Sequence, residues 1–178
     1  WTLSRQAEVG FSLQTYITGA ELLVPSESTI RSLESLEHKK VGVLGKTRTE
    51  SLIDMRLKRD NIPAELIIFN SHTEGLQAMK KGEISAYIAD RILLIGLLEE
   101  VKDPDAFKLV NRFYSFDPYA LMFDRQAQDF KLLVDRYLAN LYRSNRSMVL
   151  FKKWFAHLGV RSNENVLRAM YKLQSIPE

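Results

Sequence analysis

The chain has 178 residues, 46% of them hydrophobic and 26% charged, which is ordinary globular composition and enough chain for one domain or two small lobes. Its net charge of +3 and pI of about 9.1 come from basic residues interspersed with acids. The longest basic runs are pairs such as Lys39-Lys40, Lys80-Lys81 and Lys152-Lys153, short of the dense stripe a nucleic-acid surface needs. The absence of cysteine excludes disulfides, thiol catalysis and cysteine-based zinc sites.

In chain order, residues 20–24 (AELLV) read as a short strand. Residues 29–36 carry a helical pattern with Ser28 as its N-cap. Residues 41–44 form a buried strand, and 49–59 a helix with Leu52, Ile53 and Met55 facing inward. Asn61-Ile62-Pro63 ends that helix. A strand over 65–69 follows, then a helix over 73–81 that stops at Gly82. A strand over 85–89 leads into a helix over 91–100 capped by Asp90. Strands over 107–110 and 119–123 precede three helices, 130–142, 148–155 and 164–173. The alternation of strand and helix between residues 41 and 100 predicts βαβ units and a parallel sheet. The longest apolar run, residues 92–98 with Gly96 inside it, falls short of the ~18 residues of a membrane span. No signal peptide precedes the chain, which starts at Trp1 within sequence of ordered character, so a processed or truncated start is expected.

One stretch invites a nucleotide reading. Residues 41–50 are VGVLGKTRTE, and Gly45-Lys46-Thr47 looks like the end of a phosphate-binding loop. The spacing rejects it. A Walker A loop places its first glycine five residues before the second, where this chain has Lys40. The segment instead predicts a strand, a glycine turn and a helix opened by the capping box Thr47–Glu50. Free N–H groups at such a helix start, with a threonine hydroxyl and the cations Lys46 and Arg48 nearby, favour an anion. That anion is either a phosphate or a carboxylate.

Ligands of parallel sheets bind at the carboxyl ends of the strands. The loops after Leu44, Phe69 and Ala89 are three such ends, and together they collect Lys46, Thr47, Arg48, His72 and Asp90. Asp90 is either a helix cap or the counter-ion of a cationic ligand group. His72 is either a helix-start histidine or a ligand contact. The three histidines, His38, His72 and His157, are too widely spaced for a metal site. Tyr16, Tyr114 and Tyr119 are expected in aromatic core. No nucleophile elbow occurs, and no cofactor is called for.

Four stretches together resemble the bacterial periplasmic amino-acid-binding proteins of ABC importers. TLSRQAEVGFS (residues 2–12) is similar to the family's T-x-x-R-x-x-x-V-D-F-S segment. Residues 41–50 sit where the family has V-G-V-x-x-G-T-T-x-E. SHTEGLQAMKKGEISAYIAD (71–90) resembles its block running from S-H-x-E to a closing aspartate. LYRSNRSMVLFKKWF (141–155) matches its closing helix and K-W-F signature, and the tail MYKLQSIPE is similar to the end of glutamate/aspartate-type members.

The resemblance implies an α/β fold of the type II, Venus-flytrap kind: two lobes joined by two crossing strands, with the first lobe incomplete. Residues 1–24 and 115–178 would form partial lobe one, and 25–114 lobe two. It implies that Arg5 and Thr47 hold the α-carboxylate of an amino acid, that Asp90 pairs with its α-ammonium, and that His72 faces a side-chain carboxylate. Lys46 stands where the family usually has glycine and Arg48 where it often has threonine or serine; both would add positive potential. Gly10 and Ser85 replace acids of the pattern. The expected function is extracytoplasmic capture of a polar, acidic amino acid such as glutamate or aspartate and its delivery to a membrane permease, after export by a signal peptide absent from this chain. The open edge of an incomplete lobe implies a dimer or strand exchange. Two other functions share the fold: a ligand-sensing module of a signalling protein, and a lyase similar to cyclohexadienyl dehydratase, for which Asp90 and His72 are the acid–base candidates.

Overall fold

The computed structural model describes residues 2–101, 103–155 and 164–177. His157, with the rest of residues 156–163, lies outside them, as do Trp1, Lys102 and Glu178. The chain divides into two compact units, Gly19–Ser115 and, from both ends of the chain, Trp1–Thr18 with Phe116–Glu178. The first boundary falls six residues before the one expected at 24, because residues 20–24 belong to a sheet of the inner unit.

The inner unit is built on a five-stranded sheet. Its strands are β2 (Ala20–Pro25), β3 (Lys40–Leu44), β4 (Glu65–Phe69), β5 (Ala86–Asp90) and β6 (Phe107–Leu109), in the spatial order β4-β3-β5-β2-β6. β3 pairs in parallel with both β4 and β5, while β2 runs antiparallel to β5 and β6. Period-2 alternation sorts the side chains between two faces. Leu22, Val24, Val41, Val43, Ala86 and Ile88 lie on one face, covered by Ile53 and Leu57 of α2 (Arg48–Arg59). Leu23, Tyr87 and Ala89 lie on the other, under α3 (His72–Lys80) and α4 (Arg91–Glu99).

Two local readings are corrected. Met55 is 53% exposed, since it sits two residues from both Ile53 and Leu57, and successive residues turn by about 100°. Residues 29–36 are not an α-helix; only Glu34–Leu36 closes a 3-10 turn. Ile30, Leu33 and Leu36 are all buried, and their spacing of three suits the tighter turn. Ser28 bonds the Ile30 N–H, and the Arg31 guanidinium bonds the carbonyls of Ser28 and Ile30, which fixes the segment as an irregular chain.

The outer unit pairs β1 (Val9–Thr18) with β7 (Asp117–Asp124) in antiparallel fashion and adds α5 (Gln128–Arg143), α6 (Arg146–Phe155) and α7 (Glu164–Leu173). β1 breaks register between Phe11 and Tyr16, and the helices satisfy the backbone freed there. Asp135 accepts from the Leu13 N–H at 2.7 Å and Gln174 from the Gln14 N–H at 2.6 Å. Tyr142 and Tyr171 donate to the carbonyls of Gln14 and Thr15, their rings stacked 4.7 Å apart. The ten-residue β1 was not read from the sequence. The one-turn helix α1 (Leu3–Gln6), capped by Thr2, precedes it. Tyr16 and Tyr114 are buried as expected, whereas Tyr119 is 41% exposed.

Candidate functional site

The parallel pairing sets the site. Leu44 of β3 is in register with Phe69 of β4, and Val43 with Ile88 of β5, so the three strands finish side by side at one edge of the sheet. Neighbouring strands are about 4.8 Å apart. The β3 loop with Lys46, Thr47 and Arg48 is therefore central, flanked by the β4 loop leading to His72 and by Asp90 at the end of β5. This is the grouping expected from the sequence. Arg5 is exposed on α1 and belongs to the other unit.

The central helix α2 and its neighbour α3 start by the same device. Thr47 is the N-cap of α2: its hydroxyl accepts from the Glu50 N–H at 3.1 Å and donates to the Leu44 carbonyl at 2.7 Å. The Glu50 carboxylate reaches back to the Lys46 N–H at 2.6 Å. Ser71 caps α3 through the Glu74 N–H, and the Glu74 carboxylate returns to the Asn70 N–H at 3.1 Å. Each cap satisfies N–H groups that a helix start leaves open. A ligand carboxylate at Thr47 would have to draw the hydroxyl proton away from Leu44. Lys46 holds a left-handed backbone, φ 59°, the conformation glycine adopts at least cost. Lys46 and Arg48 are exposed, and Thr47 is half-buried.

Asp90 caps α4, accepting from the Ile92 N–H at 3.0 Å. The next residue, Arg91, is buried and bonds Glu21 at 2.7 Å. His72 opens α3, with its Nδ1 3.0 Å from the hydroxyl of Tyr87. Burial pushes the His72 imidazole below its ordinary value and the Tyr87 hydroxyl up to about 12, so both are neutral near pH 7.

Sequence reasoning missed Tyr87 and the Glu21–Arg91 pair. A signal for the pair was present, since a lone acid inside the apolar strand AELLV needs a buried partner. Among the described residues no cluster of His, Cys, Asp or Glu could hold a metal, and no helix is long and apolar enough to cross a membrane.

No family model matches the chain. It is 26% identical over 153 residues to the glutamate/aspartate import solute-binding protein of Escherichia coli (strain K12), covering 86% of this chain and 51% of that protein. It is 26% identical over 156 residues to the ABC transporter glutamine-binding protein of Bacillus subtilis (strain 168), covering 86% and 54%. The chain is thus similar to bacterial amino-acid-binding proteins of ABC importers. Its fold is the type II periplasmic-binding-protein fold. The crystal structure of the probable amino-acid ABC transporter extracellular-binding protein of Bacillus subtilis matches with a TM-score of 0.77 at 18% identity, covering 86% of this chain and 67% of that one. The chain spans about half the length of the curated relatives it matches.

Proposed function

We propose that this chain is part of an extracytoplasmic solute-binding protein that captures a polar, acidic amino acid and delivers it to the permease of an ABC importer. The observation that carries the reading is the sheet edge where β3, β4 and β5 end together and bring the loops of Thr47, His72 and Asp90 side by side. Thr47 and the N–H groups of the α2 start take the α-carboxylate, Asp90 the α-ammonium, and His72 the side-chain carboxylate. Lys46 and Arg48 add positive potential at the same edge. Arg5 enters on the resemblance alone, as the bidentate partner of the α-carboxylate. The names of the curated relatives, which include glutamate/aspartate- and glutamine-binding proteins, support an amino-acid ligand. They are named as binding proteins rather than enzymes, and the chain is read as one. A dimer or strand exchange through the incomplete outer unit completes the proposal.

The test is calorimetric titration of the purified chain against the twenty amino acids, with glutamate, aspartate, glutamine and arginine first. Micromolar binding of one small group is expected. Arg5→Ala and Asp90→Asn should each weaken it by at least about thirtyfold, since truncating one partner of a buried charged contact costs about 2–5 kcal/mol. Unchanged affinity in both variants, or silence of a folded sample towards every amino acid, would refute the reading.

A further inference from the structure

Tyr87 stands in the middle of the sheet, wholly buried, on the face that α3 covers. A side chain on a central strand normally rises straight from the sheet. Two glycines let this one lie over instead. Gly42 is its register partner on β3, and a Cβ there would fall 2.8 Å from the Tyr87 ring. Gly75 is inside α3, and a Cβ there would fall 2.2 Å from the same ring. Glycine within a helix costs roughly 1 kcal/mol relative to alanine, so this slot is kept against helix propensity. The ring also meets Phe69 edge-on at 6.2 Å. Held in this way, the phenol ends 3.0 Å from Nδ1 of His72, with the two rings nearly perpendicular.

Either group can donate in this hydrogen bond, the tautomer setting the direction, and the phenol, the stronger acid, is the better donor to an imidazole lone pair. The phenol is un-ionised and has one proton to give. A neutral imidazole has one lone-pair nitrogen and one N–H. Donation by the phenol to Nδ1 places the imidazole proton on Nε2, the nitrogen turned away from Tyr87. We propose that Tyr87 is a positioning residue: aimed by Gly42 and Gly75, its hydroxyl holds His72 as the Nε2–H tautomer at the carboxyl edge of the sheet, so that the subsite accepts side chains ending in an oxygen acceptor, carboxylate or carboxamide, and disfavours cationic ones. The ligand half of this inference rests on the amino-acid-binding reading; the tautomer half stands on the slot and the hydrogen bond.

The experiment uses the full chain with 15N-labelled histidine rings. Long-range 1H–15N correlation tells which ring nitrogen carries the proton, and His72→Gln assigns the signals. Wild type should show Nε2 protonated and Nδ1 bare. Tyr87→Phe, which keeps the ring volume, should give a mixed tautomer, and so should Gly75→Ala, which displaces the phenol without removing it. In parallel titrations, wild type should prefer glutamate and glutamine to arginine. Tyr87→Phe should weaken both by about fivefold, the loss of one hydrogen bond. Protonated Nδ1 in wild type, an unchanged tautomer in Tyr87→Phe, or a preference for arginine would overturn the inference. If the tautomer responds as expected but no amino acid binds, the binding reading fails and takes the ligand half with it, while the positioning role survives.

Discussion

Replacing Arg91 by methionine probes a buried ion pair of the inner unit. The Arg91 and Glu21 residues are 4% and 0% exposed, and Nη1 meets Oε2 at 2.7 Å. Asn111 adds its carbonyl oxygen, 3.3 Å from both guanidinium ends, and gives its N–H to the second Glu21 oxygen. The guanidinium lies over the Phe113 ring, 5.7 Å from its centroid. Burial pushes the Glu21 carboxyl up, against the opposing pull of Arg91 and the Asn111 amide. Arg91→Met leaves that carboxylate buried with its counter-charge gone, a loss of about 3–5 kcal/mol. For a unit of roughly 100 residues each kcal/mol lowers Tm by about 4–8 °C, so the transition should fall by at least about 12 °C. The double variant Glu21→Met/Arg91→Met removes both charges. Its stability should return to within about 1 kcal/mol of wild type, because an apolar pair of similar volume avoids the desolvation of two ions. Urea unfolding followed by far-UV circular dichroism measures all three. The single-variant deficit should shrink in acid, as the stranded carboxylate takes up a proton. A loss under about 1 kcal/mol in Arg91→Met, or a double variant no better than the single ones, would refute the argument.

Thr47→Ala removes the α2 cap and should cost about 1 kcal/mol, with Thr47→Ser recovering most of it in the same unfolding assay. Lys46→Gly relieves the left-handed backbone at φ 59° and should raise stability by up to about 1 kcal/mol; a lower melting temperature would show that the lysine side chain stabilises the loop. In Gly19→Ala the new Cβ would lie 2.0 Å from the Ser115 carbonyl oxygen, a backbone atom that cannot swing aside. A loss above about 2 kcal/mol is expected there, and thermal melting checks it. His72, depressed below 6.5 by burial, binds more protons unfolded than folded just below that value. Stability should therefore fall as the pH drops below 6.5, and His72→Gln should flatten that part of the profile.

Much of the inner unit was legible because its signals are local. The runs at 41–44, 65–69 and 85–89, the stop at Gly82 and the caps Thr47 and Asp90 sit within a few residues of what they control. Order along the chain also implied a parallel sheet, and hence one edge where the loops of Thr47, His72 and Asp90 meet. Residues 29–36 misled because apolar spacing alone does not separate a helix from a 3-10 turn held by side chains. β1 escaped because its irregular middle is completed by Asp135, Tyr142, Tyr171 and Gln174, more than a hundred residues away. The tertiary structure alone decided that Tyr87 lies across Gly42 and Gly75 to meet His72, and that Glu21 meets Arg91. Sequence patterns record which face a residue turns to. Which partner waits there depends on chain packing at distances no local pattern carries.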